Sequence, residues 1–275
     1  MAGTSNGARR DRSRVMAVMA FLAGSAGLAP ALAADIEARY SITLAGLSIG
    51  KASLSGQLNG PSYVLNVSSA LTGIAGAVSQ GRGAATARGN VSGTNVLTNG
   101  FSLSATNGRD TRNIQIAAAS GSVRNVTIEP PFVAQPDDST RIPLRESHKV
   151  GVLDPVSALI MPVRSGNPMD KANCDRRLPV FDGNQRFDVV LSYAGTRQVR
   201  NEDGYSGPVL ICTARYIPVA GHRPDRRVTK FMAENRNMDA WLAPANGGKV
   251  LIPYRISVKT MIGTTVIEAE SFRPN

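Results

Sequence analysis

The sequence predicts a mainly β protein: a curved antiparallel sheet or open β-barrel with one short helix around residues 155–163. After residue 35, apolar and polar residues alternate over most of the chain, which is typical of half-buried strands. Gly occurs 27 times in 275 residues and only 19% of the residues are charged, as expected for strands joined by tight turns. A sheet with this many strands is expected to curl, because curling reduces exposed strand edges.

The first half of the chain predicts a meander of neighbouring strands. The alternation of Ile36, Ala38, Tyr40 and Ile42 indicates the first strand, and Ala45-Gly46 indicates the turn into a second strand at residues 48–58. Asn59-Gly60 predicts a type I′ hairpin turn, in which both central residues have positive φ. Further strands are predicted around Tyr63, Leu65 and Val67 and at residues 83–91, 95–106, 110–118 and 122–128.

Residues 129–150 are rich in proline and charge and predict a long surface connection. This connection could divide residues 34–275 into two subdomains, although the alternation on both sides favours one continuous domain. The pair Asp154-Pro155 resembles a helix N-cap followed by proline at the first helical position. A short helix is therefore predicted over residues 156–163.

The second half resumes the alternating pattern. Residues 186–193 form an amphipathic strand in which Phe187, Val189, Leu191 and Tyr193 share one face. The remaining strands are predicted at residues 209–217, 228–232 and 238–242, followed by a closing hairpin of residues 250–258 and 264–272.

Residues 1–33 have the three zones of a secretory signal peptide. Four arginines precede an apolar stretch at residues 15–28, and Ala31-Leu32-Ala33 provides small residues for cleavage after Ala33 or Ala34. The predicted location of the mature protein is therefore the periplasm. No apolar run after residue 33 is long enough for a transmembrane helix.

The chain has two cysteines, Cys174 and Cys212. In an oxidising compartment such a pair predicts a disulfide, and two buried free thiols are the alternative. Neither cysteine has another cysteine or a histidine at metal-ligand spacing. We therefore expect neither a metal nor a cofactor.

The net charge of +11 could attract an anionic partner. The densest basic cluster comprises Arg223, Arg226, Arg227 and Lys230, and it could bind a phosphate or an anionic headgroup. A solvated charged loop is the alternative. Nucleic acid is not an expected partner, because the sequence has a signal peptide and no recognised nucleic-acid-binding module.

The sequence predicts no catalytic residue. Ser48 lies in a G-x-S-x-G match, but that motif requires a turn from a strand into a helix, and here a second strand follows. His148 and His222 are the two histidines of the chain, and both occur in polar, loop-like stretches. We expect Asp182-Gly183 to form a structural turn, with Asp182 accepting from backbone amides.

Several short segments resemble, in order, the bacterial domain-of-unknown-function family 3108. They are Tyr40 with Gly50-Lys51-Ala52, Asp154-Pro155-Val156-Ser157-Ala158, Val180-Phe181-Asp182-Gly183, Cys212 with Gly221, Trp241-Leu242-Ala243 and Ile252-Pro253. The resemblance extends over nearly all of the chain after residue 34. It implies an exported antiparallel β protein of the cell envelope, without established catalytic residues.

Two functions remain as hypotheses. The first is a non-enzymatic periplasmic module whose concave sheet face binds an apolar or amphipathic ligand such as a lipid, or an envelope partner. The second is an envelope hydrolase with an unrecognised site, which requires a pocket where a histidine meets a serine or a carboxylate. An outer-membrane barrel is a third alternative, although aromatic residues make up only 5% of the chain.

Overall fold

The computed structural model describes residues 36–73, 81–133, 139–200 and 202–274. All of these residues belong to one compact unit, Ala34–Asn275. The predicted signal peptide lies outside the described residues. None of the described helices has the length and apolar character needed to cross a membrane.

Strands account for nearly all of the regular structure. The first group is β1 (Ile36–Leu44), β2 (Leu47–Asn59), β3 (Ser62–Leu71), β4 (Arg82–Ser92), β5 (Asn95–Asn107), β6 (Asp110–Ala119) and β7 (Ser122–Glu129). The second group is β8 (Met161–Pro162), β9 (Arg176–Phe181), β10 (Arg186–Val199), β11 (Gly207–Ala220), β12 (Met238–Ala245), β13 (Val250–Thr260) and β14 (Gly263–Pro274). Helix α1 (Arg227–Glu234) lies between β11 and β12. Short 3₁₀ turns cover Glu146–Lys149, Ser157–Leu159 and Lys171–Asn173.

One antiparallel sheet contains all of these strands. Its order is β7-β6-β5-β4-β3-β2-β1-β14-β13-β12-β11-β10-β9, and β8 pairs with β13 outside this path. The first and last strands of the chain are neighbours, so their pairing joins the two groups. The mainly β fold class predicted from the sequence is confirmed.

The connection before β8 lies between the two outer strands, which do not pair with each other. Leu153 forms a parallel bridge with Val180 of β9. The neighbouring N–H of Val152 donates to the carbonyl of Gly121, in the β6–β7 turn, at 2.9 Å. This connection therefore satisfies backbone groups at both ends of the open sheet.

The predicted strands of the first half are confirmed, but one turn differs by a residue. Asn59 pairs with Ser62 across the β2–β3 hairpin, so the central turn residues are Gly60 and Pro61. Gly60 has a φ of +59°, whereas the proline ring holds φ of Pro61 near −65°. The prediction of a type I′ turn at Asn59-Gly60 was therefore wrong, because the following proline occupies a central position.

The helix predicted over residues 156–163 is shorter in the structure. A 3₁₀ turn covers Ser157–Leu159, and Ile160 is extended with φ −93° and ψ 124°. Met161 and Pro162 then pair with β13 as strand β8. The residue before a proline avoids the helical region, so Met161 does not continue a helix to residue 163.

The strand predicted at residues 228–232 is helix α1 in the structure. Val228 and Met232 are four residues apart, a spacing that fits one face of a helix as well as one face of a strand. The pattern alone could not distinguish the two over so short a stretch.

Candidate functional site

An apolar chamber lies against one face of strands β9–β13. It has a volume of about 280 Å³, close to the lower end of the ~300–1,000 Å³ typical of small-molecule sites. Asp239, Pro253 and Ser257 are among its strand residues, and the other strand side chains that line it are Leu178, Val180, Phe187, Val189, Leu191, Ala214, Tyr216, Met238, Ala240, Leu242, Ile256 and Val258. Because alternate residues of a strand share a face, the period-two pattern places these side chains together.

Small side chains on central strands leave room for the chamber. Ala214 on β11 lies opposite Leu191 on β10, and Ala240 on β12 lies opposite Ile256 on β13. A larger side chain at either alanine would extend into the chamber.

The disulfide lies beside the chamber. The sulfur atoms of Cys174 and Cys212 are 1.96 Å apart, so the predicted pairing is confirmed. Both cysteines are fully buried in a cluster with Met161, Leu191 and Leu242, which also line the chamber. The bond attaches the segment before β9 to the inner side of β11.

Two segments cover the chamber. Pro155, Ala158, Leu159 and Met161 line it from the connection that leads into β8. Met232 lines it from α1, a helix without any fully buried residue. A helix with so little buried surface is more easily displaced than the strands.

A second cavity, of about 340 Å³, adjoins the first and is basic. Arg164, Arg176 and Arg177 line it, and Leu178 lines both cavities. Arg176 is buried, and its guanidinium donates to the carbonyl oxygens of Asn173, at 3.0 Å, and Pro162. Burial and the nearby charge of Arg164 lower the pKa of Arg176 to about 10.

Charge compensation in this second cavity is uneven. Arg177 forms an ion pair with Asp188 at 2.5 Å. Within the described part of the chain, Arg176 bonds to backbone carbonyls and to no carboxylate. A guanidinium that lacks a carboxylate partner can bind an anionic group. Sequence reasoning missed these arginines, because nothing in their spacing shows that the chain brings them together.

A buried polar network fixes the connection that covers the chamber. Asp154 accepts from the backbone N–H groups of Val156 and Ser157, at 3.0 and 2.8 Å, and from the hydroxyls of Thr98, at 3.0 Å, and Ser157. The Tyr63 hydroxyl is 2.6 Å from the Ser157 hydroxyl oxygen. Asp154 thus accepts from the start of the 3₁₀ turn, as predicted for a cap, although the turn begins at Ser157 and its N-cap position is Val156.

Burial shifts the pKa values in this network. Desolvation raises the pKa of Asp154 above its ordinary value, and the hydrogen bonds from Ser157, Thr98 and Val156 oppose that rise. Burial raises the pKa of Tyr63 to about 12. Ser157 and Tyr63 are both buried, so this serine is not accessible to a substrate in solution.

The Asp182 turn has the structural role predicted for it. Its carboxylate accepts from the backbone N–H groups of Asn184 and Gln185, at 2.8 and 2.6 Å. Gly183 has a φ of +97°. A side chain at Gly183 would also approach Ile114 of β6 to 2.8 Å, so the turn requires glycine for both reasons.

The predicted basic cluster surrounds the start of α1. Arg226 precedes the helix and Arg227 is its first residue, whereas Lys230 lies one turn later, 4.0 Å from Asp225. Arg223 belongs to the loop before the helix. Its role in binding an anion stays a prediction.

The histidines and Ser48 lie apart from the chamber lining. Ser48 is the second residue of β2, after the Ala45-Gly46 turn, so the match to a nucleophile elbow is a hairpin. His148 accepts from the backbone N–H of Arg145 at 3.2 Å. Burial lowers the pKa of His222, whose Nδ1 is buried without a partner in the described structure. Within the described ranges, neither histidine hydrogen-bonds to a serine or a carboxylate, and no three potential metal ligands come together.

Comparisons with known proteins give a family and a fold. A family model described as "Protein of unknown function (DUF3108)" matches residues 39–270. A search of curated proteins finds no match. A crystal structure of a β-barrel-like protein of the domain of unknown function DUF1849 from Brucella abortus is similar, with a TM-score of 0.51 and 10% sequence identity. The similarity covers 87% of this chain and 97% of that chain, and at this identity it concerns the fold alone.

Proposed function

The chain belongs to DUF3108, a family of proteins of unknown function, and from the chamber we propose that it is an exported, non-enzymatic binding protein for an amphipathic ligand. The apolar part of the ligand would occupy the chamber over β9–β13. The observation that carries this proposal is the lining, which is almost entirely aliphatic, methionine and aromatic. Such a space favours an apolar group by removing its surface from water.

The arginine cavity supports the amphipathic part of the proposal. Leu178 borders both spaces, so an acidic group attached to a chain in the chamber could approach Arg164 and Arg176. The hydrolase hypothesis has less support. No histidine belongs to the described lining of the chamber, and its one carboxylate, Asp239, is paired with Arg255 at 3.2 Å.

The chamber can be tested by filling it. Ala214→Phe places a ring into the space, whereas Thr213→Phe places the same ring on the opposite, exposed face of β11. We expect the apolar fluorescent probe N-phenyl-1-naphthylamine to bind the wild type and Thr213→Phe equally. Ala214→Phe should bind it at least tenfold more weakly. Fluorescence titration measures the three affinities.

A second variant with a larger side chain in the chamber keeps the test valid if the first one misfolds. If circular dichroism shows that Ala214→Phe is unfolded, Ala240→Leu takes its place, because Ala240 lines the same chamber from β12. The proposal would be contradicted if a folded chamber-filling variant bound the probe as tightly as the wild type, or if the wild type bound no probe.

Export is the second part of the proposal. The three-zone pattern of residues 1–33 supports it, and so does the disulfide, because such bonds persist in oxidising compartments. We expect protein recovered from the periplasm of a Gram-negative host to begin at Ala34 or Asp35, as measured by intact mass. Full-length protein retained in the cytosol would contradict export while leaving the chamber experiment valid.

A further inference from the structure

One end of the sheet combines exposed apolar side chains with basic ones. The β1–β2 turn and the β13–β14 turn are neighbours there, because Ala45 N–H donates to the Thr264 carbonyl at 2.9 Å. The segment after α1 joins them: Asn235 Nδ2 donates to the Lys259 carbonyl at 2.8 Å, and Lys259 N–H donates to the Asn237 carbonyl at 2.9 Å. These bonds hold two turns and a helix together at one end.

Four large apolar side chains at this end face solvent. Leu47 is 73% exposed and directly follows the β1–β2 turn, and Ile262 is 78% exposed and lies within the β13–β14 turn beside it. Met261 precedes Ile262, and Val228 is on α1. Single exposed apolar residues are ordinary, whereas several at one end indicate an interaction surface.

The charges at the same end are mostly positive. The exposed basic residues are Arg227, Lys230, Arg236 and Lys259. Asp225 and Glu234 are acidic neighbours, and Asp225 is 4.0 Å from Lys230. We name the four apolar and four basic side chains the basic–apolar end.

We propose that the basic–apolar end docks on the surface of an anionic lipid bilayer. The apolar turn residues would enter the interface while the basic side chains meet the phosphate groups, a combination that binds membrane surfaces. Charge complementarity selects this partner, because an apolar contact between two copies would bring these positive charges together. Met232 of α1, Met238 and Val258 line the chamber near this end, so docking would place the chamber beside the lipid.

Docking can be measured by flotation with vesicles of phosphatidylcholine alone or mixed with phosphatidylglycerol. We expect binding to the mixed vesicles only, weakening as salt is raised. Ile262→Asp should abolish it, and Lys259→Gln and Arg236→Gln should each weaken it about fivefold, since each removes one charge near the surface. These variants leave the chamber lining unchanged.

Matched controls lie elsewhere on the sheet. Val150→Asp is the control for Ile262→Asp, because it replaces an exposed apolar side chain next to the segment that bonds to the β6–β7 turn. Arg124→Gln is the control for the charge variants, because it removes an exposed charge from β7. Both should bind like the wild type. If Ile262→Asp is unfolded by circular dichroism, the two charge variants decide the result.

The remaining outcomes overturn the proposal. Equal binding to both kinds of vesicle would exclude a role for the charges. Absence of vesicle binding, with light scattering showing a dimer that Ile262→Asp dissociates, would assign the surface to a second copy. Docking does not depend on a filled chamber, so Ala214→Phe should still float with anionic vesicles even if the proposed ligand function is wrong.

Discussion

The two groups of strands use their inner faces differently. In the first group, large side chains such as Tyr63, Leu65 and Phe101 are buried together. In the second group, Ala214 and Ala240 help to leave a chamber. Filled and open regions thus occur in one continuous antiparallel sheet, so strand pairing alone does not decide which region is filled.

One connection serves both regions with different side chains. Towards the first group it presents Asp154 and Ser157, which hydrogen-bond to Thr98 and Tyr63. Towards the second group it presents apolar residues that line the chamber, including Leu159. Hydrogen bonds are directional and fix a position, whereas apolar contacts tolerate exchange of one apolar neighbour for another. The connection can therefore stay in place without filling the chamber.

Breaking the disulfide should have the largest effect on this comparison. The double variant Cys174→Ser/Cys212→Ser removes a bond between positions 38 residues apart in sequence. We expect the free energy of unfolding of the second group to fall by about 2–5 kcal/mol, as is typical for native disulfides. Urea titration measures the loss.

The same experiment shows whether the two regions unfold together. Trp241, the single tryptophan, reports on β12 in the second group, whereas circular dichroism reports on the whole sheet. In the double variant we expect the tryptophan transition at a lower urea concentration than the circular-dichroism transition. Coincident transitions would mean that the two regions form one cooperative unit. Reduction of the disulfide in the wild type should lower its stability in urea to that of the double variant. The same reductant should leave the stability of the double variant unchanged.

The sequence allowed most of the strands to be predicted, but neither the helix at residues 227–234 nor the chamber. Alternation in residues such as Phe187, Val189 and Leu191 shows which side chains share a face. It does not show whether five strands enclose more volume than their side chains fill, because that depends on long-range pairing. Arg176 illustrates the same limit: its guanidinium donates to the carbonyl of Pro162, 14 residues earlier in the chain, a contact that no local pattern shows.

The smallest expected effect concerns the charge of Asp154 in the filled region. Burial raises the pKa of this carboxyl, so the folded state binds its proton more tightly than the unfolded state does. The associated stabilisation is fully present below the unfolded pKa, 3.8, and is lost as pH rises through the higher folded value. Asp154→Asn cannot titrate there and serves as the reference.

We therefore expect the wild type, measured relative to Asp154→Asn, to lose free energy of unfolding as pH rises from below 4 towards neutrality. Urea titrations of both proteins across this range measure the difference in free energy of unfolding. Groups that titrate equally in both proteins cancel in this difference. Asp182, whose pKa is also raised by burial, is one of them. Any effect of the substitution that does not depend on pH adds only a constant offset, so the slope is the test. A difference that grows with pH would mean that the bonds from Thr98, Val156 and Ser157 outweigh desolvation, and that this network stabilises a charged carboxylate.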